Sequence, residues 1–322
     1  MTPIETIKST IKEHLNSALF CMETPPPTFR GKVRDIYDLK ERLLIITSDR
    51  VSAFDRVLGS VPLKGALLCE QAYWWFNQLK HICPTHFIER PDPQAFIVKK
   101  ATPLKVEVIV RGFLAGSLMR QEKSTRGQEY GLTIDPSMKD YERFDEPILT
   151  PTTKGEVGEK DCALTPDQII SSGLLSSTQW QQVAEYALAL FKFGSKKMQE
   201  HGLYLVDTKY EFGVLGDDII LIDEIHTSDS SRFFVIDDYK KKIVHNSTPM
   251  MLDKEFLRQN ILSTLGTHTA EQLEDYKLSD DVRTELAARY WYLTEQITGL
   301  DFIAPPVGAA ERLRDWFKKI KS

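Results

Sequence analysis

Two runs of strand character, residues 203–214 and 218–224, meet at Leu215-Gly216-Asp217, and this junction constrains the fold more than any other stretch of the chain. A glycine-containing turn between two such runs sends the second back antiparallel to the first. Along Asp207-Thr208-Lys209-Tyr210-Glu211-Phe212 the strand period of two puts Asp207, Lys209 and Glu211 on one face. Tyr210 and Phe212 go to the other face, toward a core. The returning run is apolar until Asp223-Glu224.

Strand and helix do not alternate regularly around this hairpin. Strands are predicted near residues 30–37, 42–47, 95–100 and 105–112, with a helix at 65–80 between the second and third. Residues 1–20 read as an amphipathic helix, and Pro25-Pro26-Pro27 as a stiff connector that no helix crosses. Gly127, Gly131, Pro136, Pro147, Pro151, Gly155 and Gly158 punctuate residues 125–165, which predicts irregular structure in a functional or mobile loop. Helices are expected at 178–201, 254–265, 279–297 and 309–320. Such an order favours an α+β fold over a parallel doubly wound one. A chain of 322 residues suggests about two lobes. The first is expected to span 1–112, with an antiparallel sheet and a packed helix, and the second 113–322.

The formal net charge of −5 offers no global basic field for nucleic acid or an anionic membrane. An anionic substrate must then be held by local clusters of Lys and Arg. Cys21, Cys69, Cys83 and Cys162 form no C-x-x-C pair and no zinc-like spacing with histidine, and read as reduced thiols. Glu5, Lys8, Lys12 and Glu13 interrupt the N-terminal apolar residues, so no secretory signal is expected. The longest aliphatic runs, 43–46 and 219–222, are too short to span a bilayer. The expectation is a cytoplasmic protein, with a monomer favoured.

Four constellations carry chemical potential. If the hairpin turn spans residues 216–218, Glu211 and Asp223 sit opposite each other on one face. Two carboxylates about 4 Å apart repel by roughly 4 kcal/mol at an effective dielectric of about 20. A shared divalent cation reverses that sign, and one or two carboxylates plus phosphate oxygens describe a Mg²⁺–nucleotide site. The same residues also fit a solvated strand face neutralised by Lys209. In Gly31-Lys32-Val33-Arg34 a glycine allows close backbone approach and the following strand aims Lys32 and Arg34 to one side. That suits phosphate oxygens, or an edge strand protected by positive charge. Arg111-Gly112-Phe113-Leu114-Ala115-Gly116-Ser117 ends a strand and opens a predicted helix, which suits an anion or only tight packing. Thr227-Ser228-Asp229-Ser230-Ser231-Arg232 follows the carboxylate-bearing strand, as a phosphate contact or a plain turn. Neither G-x-x-x-x-G-K-[ST] nor G-x-G-x-x-G occurs, so an ATP site here is neither a P-loop nor a Rossmann site.

Together these segments resemble the SAICAR synthetase family, the phosphoribosylaminoimidazole-succinocarboxamide synthases. The resemblance runs in order through Gly31-Lys32-Val33-Arg34-Asp35-Ile36-Tyr37, Ser48-Asp49-Arg50-Val51-Ser52-Ala53-Phe54-Asp55, Pro62-Leu63-Lys64-Gly65, Val110 to Ser117, Thr150-Pro151-Thr152-Thr153-Lys154, Asp207 to Gly213, and Asp223-Glu224 through Phe233. It implies an ATP-grasp-like, two-lobed fold with a kinase-like N-terminal lobe. It also implies ATP-dependent joining of carboxyaminoimidazole ribonucleotide to L-aspartate through an acyl phosphate. By position it implies nucleotide binding at Gly31, Lys32, Val33, Arg34 and Asp207, and Mg²⁺ at Glu211 and Asp223. Ribonucleotide binding falls to Arg111, Ser117, Asp229, Ser230 and Arg232, and Lys154, Asp161 and Lys209 lie near the reacting groups. The chain departs from the family pattern at Lys160, at Arg56, and at Ile225-His226-Thr227-Ser228. A kinase-like phosphotransferase lacks support, since no H-R-D loop and no D-F-G occurs.

Overall fold

Antiparallel pairing dominates the protein, as the hairpin requires. A computed structural model of the chain describes residues 1–54, 56–155, 161–245, 247–252, 254–265, 273 and 276–321. Asp55, Gly158 and Lys160 lie outside them. The chain divides into two units, one of Met1–Trp74, Phe87–Lys100 and Leu252–Ser322, the other of Trp75–His86 and Ala101–Met251.

The first unit opens with helix α1 (Ile4–Glu13), which buries Ile7 and Ile11 at the spacing of one helical face. Strands β1 (Phe29–Arg30), β2 (Arg34–Asp38) and β3 (Arg42–Thr47) follow, then a β4–β5 ribbon (Arg50–Ala53, Arg56–Ser60). Helix α2 (Lys64–Gln78) leads to β6 (Phe87–Asp92) and β7 (Ala95–Lys99), which complete a five-stranded sheet in the order β1-β2-β3-β7-β6.

The second unit is built on β8 (Thr102–Phe113). After the one-turn α3 (Gly116–Met119) come β9 (Arg143–Thr153), α4 (Pro166–Ser171), α5 (Ser177–Glu200), β10 (Leu203–Leu215), β11 (Asp218–Ile222), β12 (Ser231–Val235) and α6 (Ile236–Val244). The sheet order is β11-β10-β8-β9, with β12 pairing the first half of β10 and β11 its second half. Capping boxes start both α4 and α5, at Thr165 with Gln168 and at Ser176 with Gln179. Helix α5 packs on the face carrying Tyr210 and Phe212, where Tyr186 stacks on Phe212 and Phe191 fills the space above Gly112. This is the core face that the hairpin alternation predicts.

The chain then returns to the first unit as α7 (Lys254–Leu265), α8 (Asp280–Thr298) and α9 (Ala309–Lys321). Leu257, Ile261, Leu286, Tyr290 and Trp291 join Ile7, Ile11 and Leu67 in one core. Leu313 and Phe317 cover Tyr37, Leu44 and Ile46 of the sheet. A division at residue 112 is therefore corrected. Strand β8 pairs with β9 and β10, which moves the break to Lys100, and the helical tail belongs with the N-terminal sheet.

Residues 125–165 are also more regular than their prolines suggest, because eleven of them form β9. This strand lies at the sheet edge. The Pro151 carbonyl accepts from Leu164 and the Thr153 amide donates to Cys162, so these residues turn their backbone polar groups outward. Pro147 shares that parity. The Pro151 ring nitrogen thus sits where no ladder bond is lost, and Pro147 falls where the β8–β9 register shifts. At the opposite edge the backbone of residues 84–86 bonds Leu221 of β11, from Leu221 N–H to Pro84 and from His86 N–H to Leu221. None of the four cysteines, all among the described residues, is in a disulfide; Cys69 and Cys83 are buried and Cys162 is exposed. No helix among the described residues is long and apolar enough to cross a membrane.

Candidate functional site

The face of the second sheet opposite α5 carries the charges. Glu211 lies across from Glu107, Asp207 across from both Arg111 and Arg232, and Lys209 between them on β10. The Lys209 ammonium donates to Glu107 at 2.9 Å and also bonds Glu211, whose other oxygen accepts from Lys154. Burial and the neighbouring Glu211 push the Glu107 carboxyl up to about 7, against the pull of Lys209. Burial acts the same way on Glu211, but Lys209 and Lys154 together hold it well below the usual carboxylate range. For Lys209 burial favours the neutral amine, and Glu211, Glu107 and Asp223 outweigh it, so the ammonium stays charged. Glu107 is a site residue that the alternation in β10 alone does not reveal. Its signal was the parity of β8, readable only once β8 is known to pair with β10.

The expected pairing of Glu211 with Asp223 is corrected by one residue. The hairpin closes through Gly216-Asp217 with Leu215 opposite Asp218, which places Glu211 opposite Ile222. Gly216 has φ +63°, as the first central residue of a tight hairpin turn requires. Asp223 falls just past β11 with φ +65°, a left-handed conformation that Asp tolerates better than most residues. Its carbonyl accepts from His86 Nε2 at 3.1 Å, which helps hold that geometry. Asp223 and Glu211 are thus not a cross-strand pair, yet both bear on Lys209.

At the other end of the face, Arg111 and Arg232 share Asp207. Arg232 Nη1 lies 3.0 and 2.8 Å from the two Asp207 oxygens, and Arg111 Nη1 lies 3.3 Å from Oδ2. Arg111 also donates from Nε to Thr150 at 2.8 Å and from Nη2 to Ser117 at 3.1 Å. Asp207, assigned above to the nucleotide, is committed here to two guanidiniums and is 3% exposed. Two cations on one carboxylate leave a local excess of positive charge. Gly116 has φ +62°, and a Cβ there would stand 2.6 Å from the Arg232 guanidinium, so only glycine lets Arg232 take this place. Gly112 is instead a packing glycine, with Phe191 3.0 Å from its missing Cβ. The helix expected after Gly116 is only four residues long and carries no useful dipole.

The loop from Asp223 to Ser231 is tied to this face. Lys209 N–H donates to the Ser230 carbonyl at 3.0 Å, and the Ser230 hydroxyl accepts from Thr227 N–H at 3.2 Å. The Asp229 amide donates to the Thr227 hydroxyl, and its side chain is half-buried. His226 points to the α5 side, where its ring bonds the Tyr210 hydroxyl and packs edge-on to Trp75 at 4.5 Å. Burial lowers its pKa to about 3, so it is a neutral core residue. Asp161 is exposed and accepts from the Gly155 amide at 3.2 Å, which sets it apart from the lysine–glutamate network among the described residues.

In the first unit, Gly31-Lys32-Val33 precedes β2 as a bend closed by Gly31 N–H on the Arg34 carbonyl at 2.8 Å. Strand alternation therefore does not set the direction of Lys32, contrary to the expectation from spacing. Asp49 is a second unforeseen residue. It accepts from the amides of Leu19 at 2.6 Å and Gly65 at 2.8 Å, and burial raises its pKa to about 6.

Among the described residues no group of three or more His, Cys, Asp or Glu side chains is arranged to hold a metal ion. Mg²⁺ bound with a nucleotide takes only one or two protein carboxylates, and Glu211 and Asp223 carry oxygens of that hard type, those of Glu211 being engaged here by Lys209 and Lys154.

A model of the SAICAR synthetase family matches residues 27–276. A relative from Agrobacterium fabrum (strain C58), named as a putative phosphoribosylaminoimidazole-succinocarboxamide synthase 2, is 40% identical over 294 residues, covering 88% of this chain and 90% of its own. The phosphoribosylaminoimidazole-succinocarboxamide synthase of Legionella pneumophila (strain Lens) is 38% identical over 293 residues, with 88% and 93% covered. Among solved structures, SAICAR synthase from Saccharomyces cerevisiae complexed with SAICAR superposes with a TM-score of 0.73 at 30% identity, over 90% of this chain and 98% of that one.

Proposed function

The chain belongs to the SAICAR synthetase family of ligases, and we propose from that premise that it joins carboxyaminoimidazole ribonucleotide to L-aspartate in purine biosynthesis, cleaving ATP to ADP and phosphate. The observation that carries this reading is the division of one sheet face into two charged ends. Arg111, Ser117 and Arg232 form a cationic end, and Lys209, Lys154, Glu211 and Glu107 form a mixed one. Asp207 and Glu211 are four residues apart on β10, about 13 Å along the strand. A ribonucleotide lying along this face has its phosphate on the arginines and its carboxylate near the lysines.

A carboxylate does not react with an amine until one oxygen becomes a leaving group. We infer that a carboxylate oxygen attacks the γ-phosphorus of ATP and ADP leaves, giving an acyl phosphate. The aspartate nitrogen then attacks the acyl carbon, phosphate departs with the C–O bond pair, and the nitrogen loses a proton. Lys209 and Lys154 neutralise the oxygens of the phosphoryl group in transit, and Asp207 keeps the two guanidiniums aligned on the substrate phosphate. Glu211 and Asp223 are the residues that would hold Mg²⁺, which screens the nucleotide phosphates when bound. Gly31, Lys32, Val33 and Arg34 are assigned to the nucleotide phosphates within an ATP-grasp-like fold, and Asp161, Asp229 and Ser230 to the substrates. A cytoplasmic monomer fits this role.

The test is a matrix of ADP release with each of the three substrates omitted in turn. A ligase releases ADP at full rate only with all three present. Sustained release with the ribonucleotide and no aspartate would instead mark a phosphotransferase.

A further inference from the structure

Arg50 opens β4 and is 2% exposed, a deep burial for a guanidinium. Its Nε donates to the Lys32 carbonyl at 3.0 Å and its Nη2 to the Gly31 carbonyl at 3.1 Å. Nη1 bonds the Phe20 carbonyl, and Nη2 also meets Asp35 Oδ1 at 2.7 Å, which neutralises the buried charge. Two residues before it, the Ser48 hydroxyl and amide both donate to the Val33 carbonyl, at 2.7 and 3.0 Å. The carbonyls of residues 31, 32 and 33 are thus all turned toward one buried polar centre.

In a trans peptide the C=O and the following N–H point in opposite directions. Fixing the Gly31 and Lys32 carbonyls on Arg50 therefore turns the amides of Lys32 and Val33 away from it. Successive backbone N–H groups directed to one side make an anion-binding concavity. Only a planar fork with several fixed donors can hold these acceptors at once, and a lysine ammonium is a point charge on a flexible stem.

We propose that Arg50 is the positioning residue of a phosphate-binding turn, orienting the Lys32 and Val33 amides toward nucleotide phosphate oxygens. It touches no substrate itself. This rests on reading residues 31–34 as a nucleotide element, and the test separates the two claims.

Steady-state kinetics of the full chain are compared for Lys32→Ala, Arg34→Ala and Arg50→Lys, together with titration of each variant with ADP. If neither Lys32→Ala nor Arg34→Ala alters the KM for ATP or the Kd for ADP, the nucleotide reading of the segment fails, and the proposal with it. Where they do, Arg50→Lys is expected to raise both constants about ten-fold, the effect of losing one or two well-placed hydrogen bonds. The KM values for ribonucleotide and aspartate, and kcat at saturating ATP, are expected to stay within about two-fold. A purely structural arginine would shift all three KM values together or lower only the melting temperature, and either result overturns the proposal. Unchanged ATP and ADP constants overturn it as well. If Arg50→Lys does not fold, Arg50→Gln, which keeps a planar amide with two donors, carries the same test, with a selective rise in the same two constants expected.

Discussion

The Lys209 ammonium lies 2.9 Å from Glu107 on the neighbouring strand, and the same nitrogen bonds Glu211 on its own. One cation thus separates two carboxylates that the sheet sets opposite each other. In Lys209→Met both carboxylates stay in a largely buried place, and the expected destabilisation is about 3–5 kcal/mol with loss of turnover. A divalent cation can take over the separating charge. Millimolar Mg²⁺ is therefore expected to raise the melting temperature of Lys209→Met more than that of the parent. Equal shifts in thermal melts of the two proteins would argue against metal binding at this spot.

Asp223→Ala is expected to abolish turnover and leave the fold intact. The variant keeps the backbone carbonyl that bonds His86 and loses only the carboxylate. Alanine at φ +65° costs about 1–2 kcal/mol, too little to unfold a chain of this size. Circular dichroism and ADP release check both parts. Near-normal activity would defeat the metal assignment.

Gly116→Ala tests the arginine end of the face. The new Cβ would stand 2.6 Å from the Arg232 guanidinium at a backbone angle unfavourable to alanine. Arg232 must move, and the KM for the ribonucleotide is expected to rise about ten-fold or more, as when a bound anion loses a charged partner. The KM for ATP should hardly change. A rise in the KM for ATP alone would place the nucleotide, not the ribonucleotide, at this end.

Asp49 gives a pH dependence whose sign is opposite to that of an ordinary salt-bridged carboxylate. Burial raises its pKa to about 6 in the folded state, above the unfolded value of about 3.9. Its contribution to stability is complete below about pH 4 and is lost as pH rises through about 6. Between about pH 4.5 and about pH 7 the stability difference between parent and Asp49→Asn is expected to shift by about 2 kcal/mol against the parent. Urea titrations at both pH values measure it. A constant difference would show that Asp49 titrates normally.

The alternation along β10 was legible because it is local, and it correctly separated Asp207, Lys209 and Glu211 from Tyr210 and Phe212. The register was not, because a turn of two residues and one of three differ by a single pairing, and only Gly216 hints at which forms. Strand β9 was hidden by Pro147 and Pro151, which act as breakers inside a sheet but are harmless on its rim. Glu107 and Arg50 escaped for a different reason. Their meaning lies in partners 102 and 104 residues away, or on a turn 18 and 19 residues earlier, and no short window contains both ends. His226 looked like a departure in a substrate loop. Its space comes from Gly194 on α5, whose missing Cβ would fall 2.4 Å from the imidazole.

The two prolines of β9, and the 84–86 backbone bonded along β11, bear on how molecules of this protein meet one another. An open sheet rim is a template on which a second chain can add a strand. Here one rim has donors missing at Pro147 and Pro151, and the other already has Leu221 engaged at both its amide and its carbonyl. Strand addition at these places is therefore disfavoured by backbone that lacks a donor or is already engaged, while the charged side chains of β10 gather on the face of the sheet and not on its rim.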